Sequence, residues 1–149
     1  MPRIERSAAI SWEGNVARGV GLVSGDTGSF AELPFSLPSR LNAENGKTSP
    51  EELLAAAHGG CLAMSLASEL TQAGSPPERL DVHVRIVMDE VPGQGHLVVG
   101  SEVEIAARVD GVEQDRFDAL VAEADASCPF SHLIRATASV TVRARLNAT

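Results

Sequence analysis

The 149-residue chain carries 20 Asp and Glu against 12 Lys and Arg, a formal net charge of −8, and 44% of it is apolar. That length suits one domain with a real core, and the apolar share excludes a disordered chain. The acidic balance excludes the basic face that nucleic acid or an anionic membrane would need, and two cysteines are too few for a disulfide framework.

No apolar run approaches the ~20 residues that span a bilayer. Met1–Ser11 holds Arg3, Glu5 and Arg6 but no apolar stretch of a secretory signal, so a cytoplasmic protein is expected. Strands are expected over Ser7–Trp12 and Arg18–Ser24, with turns at Gly14-Asn15 and Gly25-Asp26-Thr27-Gly28. Phe30–Leu33 reads as a further short strand, broken by Pro34 and Pro38, with a loop running to Lys47. A helix start follows: Ser49 as N-cap, Pro50 at the first helical position and Glu52 completing a capping box. Leu53, Ala57, Cys61, Met64 and Ser68 share one face, while Leu54, Leu62, Leu66 and Leu70 add apolar surface around the rest. Such a helix should be buried on most sides. Gly74 and Pro76-Pro77 end it.

Leu80–Met88 alternates apolar and polar residues, Pro92-Gly93-Gln94-Gly95 is a turn, and Leu97–Val109 returns as the second arm of an antiparallel hairpin. After Asp110-Gly111, the positions of Phe117, Leu120, Val121 and Ala124 predict an amphipathic helix ending near Ser127. Cys128-Pro129 restarts a short helix through about Arg135, and Val140, Val142, Ala144 and Leu146 mark a last strand. The class is α+β with antiparallel pairing rather than repeated βαβ units, in a single domain over 1–149.

Gly59 and Gly60 precede Cys61 inside the long helix, where each costs about 1 kcal/mol relative to alanine. That cost points either to close packing against a bare backbone or to room for a ligand beside the sulfur. Cys61 itself is either an inert buried residue or a reactive thiol, the latter requiring electropositive surroundings. Cys128 stands at the cap of the short helix, where unpaired N–H groups and the helix dipole favour a thiolate. The two lie 67 positions apart, and their Cα atoms must come within about 7 Å to form a bridge. His83 and His96 fall on solvated faces. His58 with Cys61, and Cys128 with His132, have helical spacings that allow a Cys₂His₂ zinc site, though neither is the short knuckle usual for structural zinc. Arg40 and Glu51 flank the helix start; separately they read as a loop cation and a first-turn acid. Phosphate-loop and dinucleotide fingerprints are absent.

Thr48-Ser-Pro-Glu-Glu-Leu-Leu-Ala-Ala-Ala-His-Gly-Gly-Cys61 and Ala126-Ser-Cys128-Pro-Phe-Ser131, together with the order of elements from Ile10 to Leu146, resemble the osmotically inducible protein C / organic hydroperoxide resistance family. Arg40, in the loop after Pro38, resembles its osmotically inducible branch. The resemblance implies antiparallel sheets wrapped around a long buried central helix in an intertwined homodimer, with active sites at the subunit interface. It implies Cys61 as the peroxidatic thiol, Cys128 as the resolving thiol, Arg40 as the cation beside the sulfur and Glu51 as the carboxylate orienting it, with Arg18 in reserve. Leu62, where relatives often carry Phe, Met64 and Phe130 are expected to line an apolar substrate pocket. The implied activity is cofactor-free and metal-free reduction of organic hydroperoxides, through Cys61 sulfenic acid and a Cys61–Cys128 disulfide. A dithiol, in this family typically lipoyl-linked, would reset it; neither nucleic acid nor membrane is a partner. The rivals are a zinc-stabilised binding protein using His58, Cys61, Cys128 and His132, and a small-ligand carrier without turnover.

Overall fold

In the computed structural model, which describes residues 3–42 and 46–147, the chain divides into two units, Met1–Leu53 and Leu54–Thr149. The first holds β1 (Ala8–Glu13), β2 (Val20–Gly25), β3 (Leu33–Phe35) and α1 (Leu37–Leu41), and it ends within the first turn of α2 (Pro50–Gln72). Its sheet runs β1-β2-β3 with both pairings antiparallel. The short strand lies three residues later than Phe30–Leu33 and contains Pro34. Proline is tolerated there because β3 is the outer strand, where a missing N–H costs no ladder bond. The Pro34 carbonyl still accepts from the Thr48 N–H at 2.9 Å.

The expected Pro38–Lys47 loop opens instead with α1. Pro38 sits in its first turn, where no N–H is needed, and Ser36 and Ser39 form a reciprocal capping box at 2.9 and 3.2 Å. The part of that loop at 43–45 lies outside the described residues. At the start of α2, the Ser49 hydroxyl accepts from the Glu52 N–H at 3.1 Å, which is one half of the expected capping box. The Glu52 carboxylate takes the Thr48 hydroxyl at 2.8 Å.

The second unit holds the remainder of α2, then β4 (Arg79–Val91), β5 (Gly95–Arg108), α3 (Gln114–Ser127), α4 (Pro129–Arg135) and β6 (Ser139–Leu146). β4 and β5 pair antiparallel along their whole length, with a register shift at Val87/Met88. β6 pairs parallel to β5, which corrects the expectation of antiparallel pairing alone. A parallel return needs a crossover, and α3 with α4 supplies it, so one β-α-β unit sits inside the α+β fold.

The core gathers Leu62, Leu66 and Leu70 of α2, Val103, Ile105 and Ala107 of β5, and Phe117, Leu120, Val121 and Ala124 of α3. Within α2 the buried stripe is His58, Leu62, Leu66 and Leu70, at spacings of four. The expected face of Leu53, Ala57, Cys61, Met64 and Ser68 is not the buried one: Ala57, Met64 and Ser68 are exposed, Met64 at 70%. The reason is that α2 is apolar all round, so periodicity alone does not select a face. In this chain the helix is therefore not buried on most sides. By length and composition α2 is also sufficient to cross a membrane, which inspection for an unbroken apolar run does not detect because His58, Ser65 and Ser68 interrupt it. Core helices share that property, and its leucine stripe is committed to the α/β core.

Candidate active site

The chemistry-bearing residues form two centres. In the second unit, the fold brings Cys61 of α2 together with Cys128, the residue between α3 and α4 and N-cap of the latter. Both are free thiols, Cys61 partly buried and Cys128 wholly so. Their side chains pack in one cluster, and the Cys128 thiol and the Phe130 backbone N–H both act on the Cys61 sulfur. Pro129 and the short α4 position that donor, since first-turn N–H groups have no partner within the helix. Burial pushes the Cys61 thiol above the ordinary cysteine range and the Cys128 thiol adds to the rise, while the Phe130 N–H favours the anion. Among these neighbours desolvation is the largest influence on Cys61, and it works against the thiolate that a reactive thiol needs.

Gly59 and Gly60 divide the two explanations offered for them. A Cβ at Gly59 would press on Val84 Cγ2 at 3.0 Å, so that glycine permits close packing of α2 on β4. A Cβ at Gly60 would meet nothing within 4 Å.

In the first unit, Arg40 in the last turn of α1 grips Glu51 in the first turn of α2. Arg40 Nε and one terminal nitrogen both donate to Glu51 Oε1, at 2.7 and 2.6 Å. Glu51 Oε2 is buried and accepts no hydrogen bond from the described residues, an orphaned acceptor of the kind that needs explaining. Arg40 also borders a mostly apolar pocket of about 230 Å³ whose walls include Trp12, Val16, Phe35, Leu37 and Pro50. Trp12 and Phe35 form its aromatic floor, with ring centroids 5.7 Å apart at 45°. Gly21 makes this possible: a Cβ there would strike the Phe35 ring at 2.2 Å.

Arg40, not the exposed Arg18, is therefore the arginine that holds Glu51. Of the expected pocket residues, Leu62 is fully buried in the core and removed from any pocket surface, Met64 lies on the open face of α2, and Phe130 is partly buried against the core. Sequence reasoning missed the Trp12–Phe35 pocket, whose only signal is two aromatics in a chain with five.

The zinc alternative fails on geometry. His58 is wholly buried, its Nδ1 bonded to Ser101 Oγ and its Nε2 to Ser131 Oγ, both at 2.8 Å. Neither ring nitrogen is left for a metal, and His132 is exposed. Burial lowers the His58 pKa, opposed by Asp125 and reinforced by Arg135. This network also escaped sequence reasoning. Its signal is Ser101, in step with the inward-facing Val103, Ile105 and Ala107, because a polar side chain on a core face demands a partner.

A model of the family described as OsmC-like protein matches residues 43–143. Peroxiredoxin OsmC of Escherichia coli (strain K12) is 32% identical over 133 residues, spanning 89% of this chain and 92% of that protein. An organic hydroperoxide resistance protein from Elizabethkingia anophelis superposes with a TM-score of 0.74 at 24% identity, covering 99% of this chain and 100% of that one. An OsmC-like protein of unknown function from Vibrio cholerae gives 0.77 at 13% identity, covering 96% and 100%. These superpositions show a shared fold, and the family match and sequence identity go further: the chain belongs to the OsmC-like protein family.

Proposed function

We propose that this protein is a thiol peroxidase that reduces organic hydroperoxides to alcohols. The observation that carries the reading is the meeting of two free thiols, 67 residues apart in sequence, one partly accessible and one sealed. Cys61 sulfur attacks the hydroperoxide oxygen, the O–O bond breaks, alcohol leaves and Cys61 becomes a sulfenic acid. Cys128 displaces hydroxide from it to form the disulfide before further oxidation, and a dithiol, of lipoyl type on the family resemblance, restores both thiols by exchange. The names of the relatives, a peroxiredoxin and an organic hydroperoxide resistance protein, support the same class of reaction.

Attack needs the anion, and a guanidinium within a few Å is the group that favours it. Glu51 and Cys61 stand ten residues apart on α2, a rise of about 15 Å along its axis. We therefore place the Arg40–Glu51 pair beside Cys61 of a second copy in a homodimer, whose contact would also cover the open α2 face of Ala57, Gly60 and Met64. Glu51 Oε2 then gains a donor, and the aromatic pocket beside Arg40 takes the organic group of the substrate.

The test is stoichiometric. One equivalent of cumene hydroperoxide should remove both thiols of each chain and link the Cys61 and Cys128 peptides. Cys61→Ser should consume no peroxide, whereas Cys128→Ser should consume it and accumulate Cys61 sulfinic acid. An unchanged thiol titre in the wild type would overturn the proposal.

A further inference from the structure

A second bridge joins the helices that carry the thiols. His58 lies three residues before Cys61 on α2, and Ser131 three residues after Cys128 on α4, so the His58–Ser131 contact and the Cys61–Cys128 contact are two rungs of one ladder. The rungs are about one helical turn, some 4.5 Å, apart. The other ring nitrogen of His58 is held by Ser101 of β5, so one imidazole ties three elements together. His58, Ser131 and Cys128 are 0% exposed and Ser101 is 1% exposed. A serine hydroxyl donates or accepts, so the pair satisfies a neutral imidazole in either tautomer. An apolar side chain would fill the same space without fixing the register of α4 on α2, and directional bonds are what fix it.

We propose that His58 is a positioning residue for closure of the disulfide: through Ser131 it holds the first turn of α4, and with it Cys128, in line with Cys61. The inference rests on the thiol-peroxidase reading. In the step it serves, Cys128 sulfur attacks the sulfur of Cys61 sulfenic acid. The S–O bond breaks, the S–S bond forms, and hydroxide leaves with the Cys128 proton as water. Cys61 is reduced and Cys128 oxidised. The earlier attack of Cys61 on hydroperoxide does not use the Cys128 sulfur and feels α4 only through the Phe130 N–H.

Ser131→Ala and Ser101→Ala provide the test, because each leaves one His58 nitrogen unpaired and costs similar stability, yet only the first releases α4. Sulfenic acid formation is followed by dimedone trapping, and closure by appearance of the linked peptides. Ser131→Ala should slow closure by about tenfold or more, raise Cys61 sulfinic acid at excess cumene hydroperoxide, and slow the first oxidation, which feels α4 only through the Phe130 N–H, by less than about threefold. Ser101→Ala should slow closure by less than about threefold. His58→Gln, which keeps a donor and an acceptor, should close faster than His58→Leu. Diamide, which accepts two electrons and two protons from a thiol pair without a hydroperoxide, should close the variants in the same order. Equal slowing by the two serine variants, or unslowed closure in Ser131→Ala, would overturn the proposal. If cumene hydroperoxide leaves the wild-type thiols intact while diamide preserves the order, the peroxidase reading fails and the positioning role stands.

Discussion

The thiol pair and the ion pair obey opposite rules of solvation. Cys61 and Cys128 sit against hydrocarbon, where burial opposes a thiolate at Cys61, whereas the Arg40 side chain keeps 40% of its surface exposed and Glu51 17%. Desolvation suits a sulfur to apolar peroxides but works against its anion. A guanidinium supplies positive charge but no nucleophile. An exposed ion pair contributes only about 0–1 kcal/mol to stability, so the Arg40–Glu51 contact and its orphaned oxygen are better explained by chemistry than by folding. Each centre lacks what the other has.

That contrast breaks most completely if the nucleophile is removed: Cys61→Ser should lower hydroperoxide turnover by at least about a thousandfold, measured as peroxide consumed with a dithiol present. Arg40→Met tests the other half. It should lower turnover by about a hundredfold and move the alkylation midpoint of Cys61 upward by about one to three pH units. Glu51→Gln keeps an acceptor for Arg40 but not the negative charge, and should cost about tenfold, read as the same rate. Leu66→Ala opens the core beneath α2 and should destabilise the chain by about 2–5 kcal/mol in denaturant, with the alkylation midpoint unmoved.

The smallest effect is a pH dependence. The folded-state pKa of His58 is depressed below 6.5, with Asp125 of α3 and Arg135 of α4 the charged groups that act on it. The unfolded chain therefore binds the proton first as pH falls. Stability from the neutral ring is complete above about pH 6.5 and is lost as pH drops through that value, with a slope of at most about 1.4 kcal/mol per pH unit. His58→Gln should flatten that slope in urea melts between pH 7.5 and 5.5.

Elements defined by local chemistry were legible. The Ser49-Pro50 start of α2, the β4–β5 hairpin around Pro92–Gly95, and the α3–α4 break at Cys128-Pro129 all stand where turn and cap residues place them. Elements decided by distant partners were not. The direction of β6 depends on which strand it meets after a crossover, and no residue of Val140–Leu146 encodes that. Pro38 punctuates a loop equally well as it opens α1, and Ser36 decides the matter only through its contact with Ser39. The cysteines and the Arg40–Glu51 pair were visible through the motifs around them. The His58 network was not, because Ser101 and Ser131 are 43 and 73 residues away from it.

In the proposed function the Arg40–Glu51 pair of one chain serves Cys61 of another. Co-expression of an Arg40→Met chain with a Cys61→Ser chain tests this directly, since a mixed dimer then contains one intact site assembled from both. Random pairing should restore about a quarter of the wild-type rate, although each variant alone is nearly inactive. No recovery, with mixed dimers present in the sample, would contradict it.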